Sequence, residues 1–140
     1  MRVGLFTLLS WLSISYICSA APEEKGCRDI LTALQRKPSY VQFLDCKQRT
    51  DLQGAPFEAT YRVTGSRAAG AEGYLIKEFR IKKLSRTCCV WESANNSYSD
   101  AQEKSYVISM STQETIIDKR DLWPRIGHFY ITVDLFPDKP

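Results

Sequence analysis

The sequence predicts an α+β domain, with an antiparallel sheet of about five strands and two helices packed on one face, in the order α-β-β-α-β-β-β. Three observations lead there. Residues 57–64, 106–111 and 129–135 alternate apolar and polar side chains with the period of two that a half-buried strand requires. Residues 27–37 and 67–80 instead space their apolar residues three and four apart, the period of a helix face. After the second helix the strands follow one another without the helical crossovers that a parallel sheet needs.

The first helix is expected over 27–37, with Cys27, Ile30, Leu31 and Leu34 on one face. Glu23 and Glu24 precede it and Arg36 and Lys37 close it, charges that suit the helix dipole, and Pro38 ends it. Tyr40 to Gln48 reads as a strand carrying Cys46, and Thr50 to Pro56 as a turn. Phe57, Ala59, Tyr61 and Val63 then alternate with Glu58, Thr60, Arg62 and Thr64, the clearest strand in the chain. Ser66 is the expected cap of the helix 67–80, whose stripe is Ala68, Ala71, Leu75 and Phe79. Gly70 and Gly73 each cost that helix roughly 1 kcal/mol against alanine, and close approach to a sheet is their expected reason. Residues 87–93 read as a strand apolar on both faces, 94–104 as a polar loop, and 118–127 as a connection containing Leu122-Trp123-Pro124-Arg125. Tyr106, Ile108 and Met110, and then Phe129, Ile131, Val133 and Leu135, supply the inward faces of the last two strands.

The N-terminus reads as a secretory signal peptide, residues 1–20. Arg2 is its only charge, the apolar stretch Val3–Ile17 follows, and Cys18-Ser19-Ala20 suits cleavage after Ala20. The apolar stretch is short of the ~20 residues that a spanning helix needs. Residues 21–140 then form a single exported domain. No second run could span a membrane, so no membrane span is expected in the mature chain. Net charge is +3, and +2 without Arg2, a balance that argues against nucleic acid as a partner.

Four cysteines remain after cleavage: Cys27, Cys46, Cys88 and Cys89. An even set in an oxidising compartment predicts two disulfides. Neighbouring residues of a strand point to opposite faces, and adjacent Cα atoms lie ~3.8 Å apart, below the usual disulfide range of ~4.4–6.8 Å. Cys88 and Cys89 are therefore each expected to bond elsewhere, one to Cys27 and one to Cys46. The competing set is Cys27–Cys46 with a vicinal bridge or two free thiols. A vicinal bridge would be the functional reading, since such bonds are easily reduced.

Catalytic chemistry is poorly supplied. There is one histidine, His128, and no CxxC, GxSxG, HExxH, P-loop or dinucleotide-binding glycine pattern, so no metal or cofactor is expected. Glu92 and Asp134 are the carboxylates that a hydrolase would need to bring together. The cluster Lys77, Arg80, Lys82, Lys83 and Arg86 reads first as a solvated face. Candidate partner-binding residues lie in two loops: Asn95 and Tyr98 in one, Trp123 and Arg125 in the other. Trp123 has a second reading, as a lid folded over the core. Asn95-Asn96-Ser97 fits a glycosylation acceptor, meaningful only in a eukaryotic secretory pathway.

Cys27 before an apolar helix, Lys37-Pro38, Cys46, Tyr61-Arg62-Val63-Thr64-Gly65 and Cys88-Cys89-Val90-Trp91-Glu92 together resemble a family of small exported bacterial proteins of unknown function. The resemblance covers about 27–136, and the Cys-Cys-x-Trp-Glu block is its most specific part. It implies a bacterial cell envelope location and carries no catalytic residue across. The expected function is that of a non-catalytic exported, periplasmic binding protein with a protein partner, an inhibitor or immunity protein acting on a toxin or cell-wall hydrolase. The alternatives are a small-ligand or lipid carrier, which needs an apolar cavity beneath helix 67–80, and a hydrolase using Glu92.

Overall fold

Strict alternation over three segments builds the centre of the sheet. The computed structural model of the protein describes residues 27–137; the expected signal peptide 1–20 and the leader that follows it lie outside the described residues. The elements run α1 (Ile30–Ala33), β1 (Gln42–Gln48), β2 (Phe57–Thr64), α2 (Gly65–Phe79), β3 (Ser85–Thr87), β4 (Val90–Glu92), β5 (Asn96–Ser99), β6 (Ser105–Thr112), a 3-10 helix (Arg120–Arg125) and β7 (His128–Phe136). The architecture is α+β, as the patterning predicts. One antiparallel sheet is ordered β1-β2-β7-β6-β4-β3, and β5 pairs with β6 alongside β4.

The sheet has seven strands among the described residues, not five, for two reasons. The expected strand 87–93 is a hairpin, β3 and β4, that turns at Cys88-Cys89. The expected polar loop 94–104 contains β5, whose Ser97 and Ser99 face outward beside the partly buried Asn96 and Tyr98.

Phe57, Ala59, Tyr61 and Val63 of β2, Tyr106, Ile108 and Met110 of β6, and Phe129, Ile131, Val133 and Leu135 of β7 are buried on one face. Both helices lie on that face. α2 brings Ala68, Ala71, Leu75 and Phe79, each no more than 1% exposed, which is the predicted stripe. α1 brings Ile30 and Leu31, and the Tyr61 hydroxyl accepts a hydrogen bond from the Leu31 amide at 2.9 Å.

α1 is shorter than the spacing predicts. Asp29 caps it, accepting from the Thr32 amide and hydroxyl, and Gln35 takes a left-handed φ of 56° that turns the chain out of the helix. The Gln35 and Arg36 amides close the end on the carbonyls of Thr32 and Leu31. α2 begins two residues before its expected start, directly from β2, and Ser66 does not cap it; the N-cap is Thr64. Gly70 and Gly73 are a further correction. A Cβ built on either meets nothing within 4 Å, so neither lies against the sheet. The glycine that close packing requires is Gly65, where a Cβ would stand 2.0 Å from the Ile126 carbonyl oxygen and 2.2 Å from that of Trp123.

Across that approach, α2 is joined to the 3-10 helix by Glu72 and Arg120. Glu72 sits one turn before Leu75 and is 5% exposed. Two guanidinium nitrogens of Arg120 donate to its two carboxylate oxygens at 2.8 Å each, and the Leu84 amide donates at 2.7 Å. Burial raises the Glu72 pKa, but these hydrogen bonds outweigh it and leave the carboxyl below its ordinary value. The same guanidinium lies over the rings of Trp123 and Trp91, its Cζ 4.5 and 5.6 Å from their centroids.

Candidate functional site

The two disulfides are Cys27–Cys46 and Cys88–Cys89, which reverses the expected pairing. The reason is tertiary. Cys46 lies on β1 at one edge of the sheet, and Cys88-Cys89 joins β3 to β4 at the other. Four or five strand spacings separate them, on the order of 20 Å, far beyond what a disulfide spans. Cys88 and Cys89 do not point to opposite strand faces, because the pair forms the turn between β3 and β4. Cys88 has φ 51°, a left-handed value that two-residue hairpin loops use and that non-glycine residues take at a cost of about 1 kcal/mol.

This turn supports the most exposed large hydrophobic side chain among the described residues. The segment after β6 runs past the hairpin, and its backbone is held there on both sides of Ile116. The Thr115 amide donates to the Cys89 carbonyl at 2.7 Å. Arg86, on β3, donates to the Thr115 carbonyl at 2.7 Å and to the Ile117 carbonyl. The Trp91 indole N–H, on β4, donates to the same Ile117 carbonyl at 2.9 Å. Trp91 is itself fixed, its amide bonded to the Thr112 hydroxyl and its ring packed edge-on against Trp123 at 5.2 Å. Ile117 is packed against the core, whereas Ile116 is 96% exposed; the other exposed aliphatics, Leu44, Leu52 and Ile76, reach only 37–42%.

Beside the loop lies an open cleft of about 260 Å³, lined by Gln113, Glu114, Thr115, Arg125, Ile126, Gly127, His128 and Tyr130. Of the expected partner-binding residues, Arg125 is therefore placed at this end, exposed and without an ion-pair partner among the described residues. Trp123 is not a surface anchor. It is 1% exposed, packed against Trp91 and Phe129, so its reading as a lid over the core is the correct one. Asn95 is exposed between Glu92, which faces Ser111, and Asn96, which faces Ile108, so it lies beside the middle of β6 and does not line the cleft. Tyr98 is half-buried between Phe79 and Tyr106, and its hydroxyl accepts from Arg36 at 2.8 Å, which makes it a packing residue. Of the four expected residues, Trp123 and Tyr98 are packed inward, and Asn95 and Arg125 are exposed.

Nor do the two candidate carboxylates meet. Glu92 faces Ser111 and, across β6, Tyr130, whereas Asp134 lies four residues further along β7, about 13 Å away along the strand alone. Asp134 faces Glu58 instead. Burial and the Glu58 carboxylate push its pKa up to about 6, with Arg49 opposing. Its Oδ1 is buried without a hydrogen-bond partner among the described residues. No group of three metal-ligating side chains occurs among the described residues, and no described helix is long and apolar enough to cross a membrane.

Sequence reasoning missed Ile116, Arg86 and Glu72. Ile116-Ile117 is an isolated apolar pair in the polar stretch Ser111–Asp121, which is a signal for one anchored and one presented side chain. Glu72 was legible as a charge interrupting the apolar stripe of α2. Arg86, grouped with the solvated lysines, gave no sign of its role.

The fold and its cysteines define a small disulfide-bonded α+β domain. The chain belongs to the family of a domain of unknown function, DUF4952, whose model matches residues 16–91. The matched residues include all four paired cysteines and α2, and end at Trp91, before the Ile116 loop. Comparison with curated proteins and with solved structures finds no match.

Proposed function

We propose that the protein is an exported, non-catalytic binding protein that engages a protein partner through the Ile116 loop, in the manner of an inhibitor or immunity protein acting on a toxin or cell-wall hydrolase. One observation carries this reading: Ile116 is 96% exposed on a segment whose flanking carbonyls are held by Arg86 and Trp91. An apolar side chain in water gains from entering a partner's pocket, and a loop already ordered loses little conformational entropy on binding. Arg125 and the cleft beside the loop supply a polar rim. Export is supported by the apolar N-terminal stretch and by two disulfides, which persist in oxidising compartments. In a bacterial envelope the Asn95 acceptor motif has no meaning. The carrier alternative gains little, because the apolar stripe of α2 is packed against β2 and β7 by fully buried side chains.

The test is affinity capture from a cell-envelope extract with the wild-type chain and Ile116→Asp side by side. A protein retained by the wild type and lost with the variant supports the reading. Identical retention by both removes the Ile116 loop from it.

A further inference from the structure

We propose that Cys88–Cys89 is a thiol-exchange site whose oxidation state sets the order of the Ile116 loop. The loop's binding role rests on the function proposed above; the exchange chemistry and its effect on the loop do not.

Accessibility separates the two disulfides. Cys88 is exposed and Cys89 partly buried at the tip of the β3–β4 hairpin, on the edge of the sheet, so the Cys88 sulfur is the one open to an attacking thiolate. Cys27 and Cys46 are both partly buried against the core. Covalent context separates them further. Cys27–Cys46 closes a loop across a sequence separation of 19, with Cα atoms 5.4 Å apart, inside the usual range. The Cys88 and Cys89 Cα atoms are 3.8 Å apart because one peptide bond joins them, and no relaxation of the fold can widen that. Exposed bridges and bridges outside the usual range are the ones that thiols open first.

The reaction is ordinary exchange. A thiolate of a thiol reductant attacks one sulfur, the Cys88–Cys89 bond breaks, and a mixed disulfide forms. A second reductant thiolate displaces it, leaving two protein thiols and an oxidised reductant. Two electrons pass from the reductant sulfurs to the cysteines, and each cysteine sulfur takes up a proton from solvent.

The bond's state reaches Ile116 through a short path. The left-handed φ of 51° at Cys88 is tolerated while the ring through both sulfurs confines the turn. Once open, the dithiol turn is free to leave that conformation, and the Cys89 carbonyl turns with it. That carbonyl is the acceptor of the Thr115 amide, one residue before Ile116. Oxidised, the turn completes the clamp on the loop; reduced, the loop retains the bonds from Arg86 and Trp91 but loses its tie to the turn.

The experiment uses the full chain and dithiothreitol, with differential alkylation and hydrogen exchange read by mass spectrometry. Graded reductant is expected to expose Cys88 and Cys89 to alkylation at doses that leave Cys27–Cys46 intact. In that state exchange in residues 113–117 should accelerate at least tenfold, with the β2, β6 and β7 core unchanged. Reduction of Cys27–Cys46 first or together, or unchanged exchange at 113–117, would overturn the proposal. The Cys88→Ser, Cys89→Ser variant should match the reduced state without reductant, and oxidised-like exchange in it would count equally against the idea. If that variant does not fold, the reductant series on the wild type still decides. No readout here needs a partner, so failure of this switch and failure of the proposed binding role are distinguishable.

Discussion

Glu72 of α2 and Arg120 of the 3-10 helix form a fork-to-fork pair, two parallel hydrogen bonds of 2.8 Å across a boundary where the backbones also meet at Gly65. The Glu72 side chain is 7% exposed and the Arg120 side chain 32% exposed. Removing Glu72 leaves Arg120 without its counter-charge and also frees the Leu84 amide. Glu72→Ala is expected to cost about 3 kcal/mol, the low end for a broken buried pair because Arg120 still reaches water. Urea unfolding of the two proteins measures it; a loss below about 1 kcal/mol would show that the pair is not a structural lock.

Glycine substitutions along α2 should divide by what a methyl group meets. Gly65→Ala drives a Cβ into two backbone carbonyl oxygens and should destabilise by about 3 kcal/mol. Gly73→Ala, with open space around the new methyl, should stabilise by about 0.5–1 kcal/mol. Thermal melts of the two variants test both signs at once.

Asp134 makes stability fall with rising pH over a defined window. Its folded pKa of about 6 lies above the ordinary value of 3.8, so between them the folded state keeps a proton that the unfolded chain gives up. Below about pH 4 both states are protonated and this contribution is fully present; it is lost as pH rises through 6. A fully buried group would lose roughly 3 kcal/mol for such a shift, and a half-buried carboxylate about 1–2. The difference in unfolding free energy between wild type and Asp134→Asn isolates the effect, since lowered carboxylates such as Glu72 act oppositely in both proteins. A difference that is flat from pH 4 to 7 would contradict the assignment.

Ile116 and Arg86 should separate binding from stability. Ile116→Asp alters an exposed side chain with no buried contacts and should change unfolding free energy by less than about 0.5 kcal/mol. Arg86→Ala removes two charge-assisted bonds to the loop and should cost about 2 kcal/mol while loosening residues 113–117. Chemical denaturation gives the first quantity and hydrogen exchange the second. A large destabilisation by Ile116→Asp would mean that the side chain is packed in solution.

The buried faces of the long strands and of α2 are readable from the amino-acid order alone, because they depend only on local period. The alternation at Phe57–Val63, Tyr106–Met110 and Phe129–Leu135 specifies which side chains are buried whatever the neighbouring strands are, because side chains in a strand alternate faces. The stripe Ala68–Phe79 likewise sets the buried face of α2. Tertiary structure decided what depends on distance through space. The pairing of the cysteines followed from the strand order, which puts Cys46 and Cys88-Cys89 on opposite edges. The burial of Trp123 followed from α2 packing over the 3-10 helix, and the exposure of Ile116 from Arg86 and Trp91 reaching across from another hairpin. None of these leaves a periodic trace. Trp91 reaches the Ile117 carbonyl and Arg120 reaches Glu72 across 26 and 48 positions, and only the folded chain brings such residues within reach of one another.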